Sequence, residues 1–315
     1  MNAAQVTALP TTPQSAATHT LARLVVWATL PLILFGGSVT SLDAGMAVKG
    51  WLTVESSQGE RLLWLYPLED WFHNLGQFVE HTHRMLGTVV GLLAIGAVIS
   101  AFLTGASAVA RKFTGIALLA VCIQGAIGGF RVLENSPELA FLHGALGQAV
   151  FACLVAAAVV TSPRWGSASP VPMEGAADLR ALATRSCVIV YTMIVSGAWL
   201  RHTNDPMALA IHLMLLMGVL GAVVVLFKKL AGVEGAGALE HLVTCGRRLS
   251  WIIKAQVILG VFAMLAVMVW YGPSANGVHD SIMPTLHVLG GALLLGQCLA
   301  SRMWIGRLLS EEGSS

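Results

Sequence analysis

The sequence predicts an all-α polytopic membrane protein, with eight transmembrane helices arranged as two pseudo-symmetric four-helix bundles. Three observations predict it. Of 315 residues, 56% are hydrophobic and 11% are charged, against about 45–50% and about 25% in an average soluble domain. Eight apolar stretches approach the roughly 20 residues that a helix needs to cross a bilayer. Short motifs recur in the same order in the two halves. The charge deficit excludes a soluble globular enzyme and a disordered chain. A net charge of +2 gives no signal for a nucleic-acid partner.

Residues 1–21 are polar, carry Pro10 and Pro13, and read as a disordered cytoplasmic tail without the features of a signal peptide. Spans are expected over 22–41, 80–103, 112–132, 140–161, 187–201, 207–227, 249–271 and 283–304. The fifth is short by hydropathy and is expected to recruit part of 180–186. Residues 162–186, with Pro163, Pro170 and Pro172, read as a linker between an N-terminal bundle (22–161) and a C-terminal bundle (187–305). Residues 306–315 read as a second cytoplasmic tail.

Orientation follows from the basic residues. With a cytoplasmic N-terminus, 13 Lys and Arg fall inside and 5 outside, the latter being Lys49, Arg61, Arg84, Arg131 and Arg201. The positive-inside rule then puts both termini in the cytoplasm, in a multi-pass protein of the inner (cytoplasmic) membrane. The longest outer connection, 42–79, carries Trp51, Trp64, Tyr66 and Trp71 and suits the headgroup interface. No cysteine falls in an outer loop and none has metal-ligand spacing, which argues against a structural disulfide and against a zinc or iron–sulfur site.

The internal repeat is carried by a shared Gln-x-x-x-Gly-x-Phe spacing. Gln124, Gly128 and Phe130 in span three match Gln256, Gly260 and Phe262 in span seven. Span four opens Leu142-His143 and span eight Leu286-His287, while spans two and six carry His83 and His212 near their outer starts. Both halves have the same orientation, as a parallel repeat requires. All four even-numbered spans run inward, so the four imidazoles share one depth near the outer leaflet. A polar group inside a membrane helix is costly without a partner or a task. Imidazole is a standard axial ligand of haem iron, and a bundle core suits a flat macrocycle. The expected pairs are His83 with His143 and His212 with His287, one haem-sized site per half.

Glu80 and His83 are three residues apart and share a helix face. The carboxylate can move protons or steady a developing charge, or it can accept from an imidazole N–H. His81, two residues from His83, faces elsewhere. Arg84, Arg131 and Arg201 lie near the outer boundary, where they can bind haem propionates or serve as snorkelling anchors. His202 and the remaining histidines read as solvated or interfacial. Gly36, Gly37, Gly128, Gly129, Gly147, Gly197, Gly260, Gly290 and Gly291 permit close helix approach or room for a ring.

With these residues in place, the sequence resembles the haem A synthase family. The family's Glu-x-x-His-Arg-x-x-Gly signature appears as Glu80-His-Thr-His83-Arg84-Met-Leu-Gly87, its other histidines match His143, His212 and His287, and Gly197-Ala-Trp199-Leu-Arg201-His202-Thr203 is similar to its fifth-span motif. The resemblance covers about 20–305. It implies an oxidoreductase that converts haem O to haem A, oxidising the C8 methyl to a formyl group by successive hydroxylations and loss of water. It implies haem b as cofactor on His212 and His287, the substrate haem on His83 and His143, and Glu80 as the catalytic carboxylate. Implied partners are haem O itself, haem O synthase, membrane lipid and an electron acceptor; a homo-oligomer is compatible with it. Many members carry a cysteine pair in the first outer loop and this chain does not. Ser41-Leu-Asp43-Ala-Gly45 and Asn204-Asp205-Pro206 also depart from the usual pattern.

Two other classes compete. One is a di-haem b-type electron-transfer protein serving quinone. No span has a second histidine deep toward the inner face, which argues against a transmembrane electron wire. The other is a transporter using histidines as proton relays, which predicts no bound haem.

Overall fold

Each apolar stretch forms a helix long enough to cross a bilayer. The computed structural model describes residues 15–233, 239–266 and 278–311, excepting the side chains of 278–281. In chain order the elements are α1 (Ala16–Ser41), β1 (Thr53–Ser56), β2 (Gly59–Leu62), the short α2 (Leu68–Trp71), α3 (Leu75–Leu103), α4 (Ala108–Glu134), α5 (Pro137–Val160), the short α6 (Pro163–Ser167) and β3 (Val171–Pro172). They continue with α7 (Ala176–Thr203), α8 (Pro206–Ala231), α9 (Glu240–Leu265), α10 (Val278–Leu308) and β4 (Leu309–Ser310). The long helices turn large apolar side chains outward: Leu103 is 82% exposed and Met217 71%. Hydrocarbon tolerates that surface and water does not.

Three expected boundaries need correction. The expected tail 1–21 overlaps α1, because Ser15 caps its N-terminus, Thr18 shares hydrogen bonds with Ser100 and Thr104, and His19 bonds Thr161. Residues 1–14 lie outside the described residues. The expected linker 162–186 contains α6, β3 and the first turns of α7. That helical start carries Asp178, Arg180 and Arg185, so hydropathy misses it, while Arg180 ties it to the Leu309 carbonyl and to Glu311. The expected tail 306–315 is structured through Ser310, since β4 pairs in parallel with β3. Residues 267–271 of the seventh span and the side chain of His279 lie outside the described residues.

The α4–α5 and α7–α8 connections share one device. Asn135 and Asn204 close α4 and α7 in the left-handed conformation, with φ of 45° and 53°. Ser136 and Asp205 then cap the next helix, and Pro137 and Pro206 occupy its first turn. Asn tolerates that conformation and Pro suits the first turn. Asn204-Asp205-Pro206 is therefore a tight helix–helix turn. The two turns set His143 and His212 each six residues into its helix, about 9 Å down.

The helices close into two rings. α1 packs along α3, α3 on α4, α4 on α5, and α5 back on α1. α7 packs along α8, α8 on α9, α9 on α10, and α10 back on α7. The rings meet where α1 touches α10, α5 touches α7 and α5 touches α10. In the second ring the sealed apolar core begins at Val190, Val219, Ile253 and Leu294 and continues away from the histidines. Each of these four lies seven residues inward of Gly197, His212, Gly260 or His287, about 10 Å along the helix. At the histidine level all four residues are half-buried.

Candidate functional site

The four histidines converge in two pairs. His83 of α3 and His143 of α5 have ring centroids 6.3 Å apart with planes at 83°. His212 of α8 and His287 of α10 have centroids 6.3 Å apart with planes at 75°. A ligating nitrogen lies about 2 Å from a first-row metal, and a ring centroid is roughly 1 Å further back. Two imidazoles on opposite sides of one iron therefore stand about 6 Å apart. Both pairs have that separation.

The ring nitrogens agree with it. His83 Nδ1–H donates to the Leu32 carbonyl at 3.0 Å, and His212 Nδ1–H to the Met193 carbonyl at 3.1 Å with Ser196 Oγ 3.0 Å away. An imidazole that donates from Nδ1 keeps its lone pair on Nε2, the atom available to a metal. Gln124 Nε2 donates to the His143 carbonyl at 2.8 Å and lies 3.2 Å from His143 Nδ1. Gln256 Nε2 donates to the His287 carbonyl at 3.0 Å, and His287 Nδ1 is buried without a hydrogen-bond partner. The donor set, its spacing and the half-buried level above a sealed core fit haem.

The charged residues gather at the first pair. Glu80 is 3% exposed. Its Oε2 accepts from the Val48 N–H at 2.7 Å, and its Oε1 pairs with Arg84 at 2.5 Å. Arg84 also donates to the carbonyls of Val48 and Gly50, both at 2.7 Å. The carboxylate and guanidinium thus clamp residues 48–50 against α3. His81 is buried between Tyr66 and Trp71, with ring centroids 4.6 Å away on each side. Trp71 Nε1 donates to Thr82 Oγ1, and Gln77 Nε2 donates to the Tyr66 hydroxyl. Burial raises the Tyr66 phenol above its usual range, so it stays a neutral partner. Glu80, His81, Thr82 and Arg84 therefore all hold the α1–α3 connection, while His83 faces the pair. The expectation that His81 faces away from His83 agrees with this. Its task of docking the loop needed Tyr66 and Trp71 brought next to it.

Arg131 of α4 lies against Gly45, where an added Cβ would overlap its Nη2. Its side chain forms no hydrogen bond or ion pair among the described residues, and it sits within electrostatic reach of Glu80, His83 and His143. Arg201 of α7 donates to the Gly37 carbonyl at 2.6 Å and to Ser41 Oγ at 2.5 Å. Among the described residues no carboxylate balances it. Two largely buried cations that make no ion pair among the described residues suit a ligand that brings its own carboxylates.

His202 was expected to be interfacial. Its Nε2 instead lies 3.3 Å from where a Cβ on Gly144 would stand, one residue from His143. The sequence assigns His202 to the other half, so only the contact of α5 with α7 reveals it. Gly36 and Gly37 form a second junction. Gly36 carries the His83 ring, Gly37 carries Thr285 of α10, and Arg201 donates to the carbonyl of Gly37.

A model of the COX15-CtaA cytochrome oxidase assembly protein family matches residues 71–296. No curated protein matches the chain. The matched region holds all four paired histidines, Glu80, Arg84, Arg131 and Arg201. It covers well over half of the sequence, and the chain belongs to the cytochrome oxidase assembly protein family.

Proposed function

We propose that this protein is a haem A synthase, an oxidoreductase that oxidises the C8 methyl of haem O to a formyl group through successive hydroxylations and loss of water. We also propose that 22–161 and 187–305 are two copies of one bundle, with the substrate site in the first and resident haem b in the second. The observation that carries the division of labour is an asymmetry between matched positions. Aligning His83 with His212 sets Glu80 against Leu209 and Arg84 against Leu213. Aligning Gly128 with Gly260 sets Arg131 against Ala263. The first pair thus has a carboxylate and two guanidinium groups where the second has aliphatic side chains. A resident cofactor needs only ligands and an apolar wall. A reacting one needs groups that hold or move protons and orient the substrate.

In this reading His212 and His287 hold haem b, which supplies one-electron redox chemistry when bound. His83 and His143 hold haem O. Arg131 and Arg84, with Arg201 from the neighbouring bundle, orient its carboxylates. Glu80 accepts a proton at Oε1 or Oε2, and the donors on it, Arg84 and the Val48 N–H, stabilise its ionised form between turnovers. Residues 48–51 and Trp51 over Gly129 keep bulk water from the reacting carbon. The protein acts in the inner (cytoplasmic) membrane with both termini in the cytoplasm. It receives haem O from haem O synthase and gives electrons to an acceptor in the membrane.

The test is expression in a host that makes haem O and has no haem A of its own. Haem A is expected to accumulate with the wild-type chain. Glu80→Gln keeps the shape of the clamp and is expected to lower conversion by about 100-fold or more. Conversion at the wild-type level in Glu80→Gln overturns the catalytic role. Absence of haem A with a haem-loaded wild-type chain favours an electron-transfer protein instead.

A further inference from the structure

Each paired histidine leans on one glycine of the preceding long helix. A Cβ on Gly36 would stand 2.7 Å from His83 Cε1, and one on Gly128 2.7 Å from His143 Cε1. A Cβ on Gly197 would stand 2.9 Å from His212 Cε1, and one on Gly260 2.9 Å from His287 Cε1. In all four cases Nδ1 is the next nearest atom and Nε2 the third, so the same ring edge meets the glycine. The residue four positions before each glycine also touches the same histidine. Leu32 and Met193 accept from Nδ1–H through their carbonyls. Gln124 and Gln256 donate to the main-chain carbonyl of His143 and His287.

Resting on the haem reading above, we propose that Gly36, Gly128, Gly197 and Gly260, each with the residue four positions earlier, are holders that set the planes of the four imidazoles. A side chain at the glycine would push the ring edge away, and the neighbour four residues back stops the ring from turning. Together the holders keep each pair of rings nearly perpendicular, at 83° and 75°. General packing would be satisfied by a ring in any orientation. Four matching edges, each against a glycine, are specific to ring orientation. This explains the Gln-x-x-x-Gly repeat: Gln anchors the histidine's backbone and Gly seats its ring. Ligand orientation is among the protein's levers on a haem's electronic state.

The experiment uses the full-length protein purified in detergent with its bound haem, read by absorption and by electron paramagnetic resonance of the ferric form. Near-perpendicular imidazole planes give a strongly anisotropic low-spin signal, and parallel planes give a rhombic one. The wild-type chain is expected to show the strongly anisotropic signal. Gly197→Ala and Gly260→Ala are each expected to move it toward rhombic or high-spin and to weaken haem retention about 10-fold. Gly221→Ala, on α8 with open space around it, is expected to match wild type. Wild-type signal and haem content in both Gly197→Ala and Gly260→Ala overturn the holders while leaving the haem reading intact. Failure of both variants to accumulate, beside normal Gly221→Ala, assigns the glycines to folding and also overturns the proposal. A wild-type chain without a Soret band overturns the haem reading and the holders with it.

Discussion

At the residue scale, one five-residue run does two jobs. His83 turns toward His143, while Glu80, His81, Thr82 and Arg84 hold the α1–α3 connection. The alternation was legible only in part. The three-residue spacing put Glu80 and His83 on one helix face, and that spacing is correct for a helix. What Glu80 touches on the loop is the Val48 N–H, 32 positions upstream, which no local pattern reveals. Removing the carboxylate leaves the largely buried guanidinium of Arg84 unpaired. Glu80→Ala is expected to lower stability by about 3 kcal/mol and to open the loop to proteolysis around 48–50. A melting curve and limited digestion of the purified protein check both, and unchanged digestion would show that the clamp does not hold the loop. Arg131 is the converse case: among the described residues its side chain makes no ion pair to lose. Arg131→Leu is expected to leave the melting temperature nearly unchanged while weakening retention of the substrate haem.

At the element scale, all eight spans were legible, because 20-odd apolar residues in lipid can satisfy their backbone only as helix. Their ends were less so. The start of α7 carries Asp178, Arg180 and Arg185, which hydropathy counts against a span, yet Arg180 makes a helix there useful by gripping the Leu309 carbonyl. The caps act where hydropathy is silent. Asn204 holds φ of 53°, a conformation that costs a β-branched residue about 1–2 kcal/mol. Asn204→Val is expected to destabilise by about that amount, whereas Asn204→Gly is expected to be neutral. Thermal denaturation in one detergent distinguishes them. Ser136→Ala, which removes the oxygen accepting from the Leu139 N–H, is expected to cost about 1 kcal/mol.

At the scale of the whole molecule, α1 starts beside the ends of α3 and α5, and Arg307 near the end of α10 donates to the Trp165 carbonyl just beyond α5. The start of α1 and the end of α10 therefore lie on one face, as an even number of spans requires. In the orientation proposed from the basic-residue bias, that face is the cytoplasmic one. A cysteine at Glu60 is expected to react with a membrane-impermeant thiol reagent in intact spheroplasts, and one at Ser169 only after permeabilisation; the reverse pattern would invert the topology. The two rings are joined close to the sites: Arg201 reaches from α7 to Gly37 and Ser41 of α1. Arg201→Leu is expected to destabilise the protein by about 2 kcal/mol, read as an earlier melting transition. By itself the sequence determined the membrane setting, the count of spans, the common depth of the four histidines and their pairing. Hydrophobicity, charge bias and helical period act locally and survive in a linear string. Only the tertiary structure decided which glycine seats each ring, what Glu80 and Arg84 grip, and how His202 comes beside His143. Those contacts join residues tens to hundreds of positions apart, and their energies depend on distances that no sequence spacing encodes.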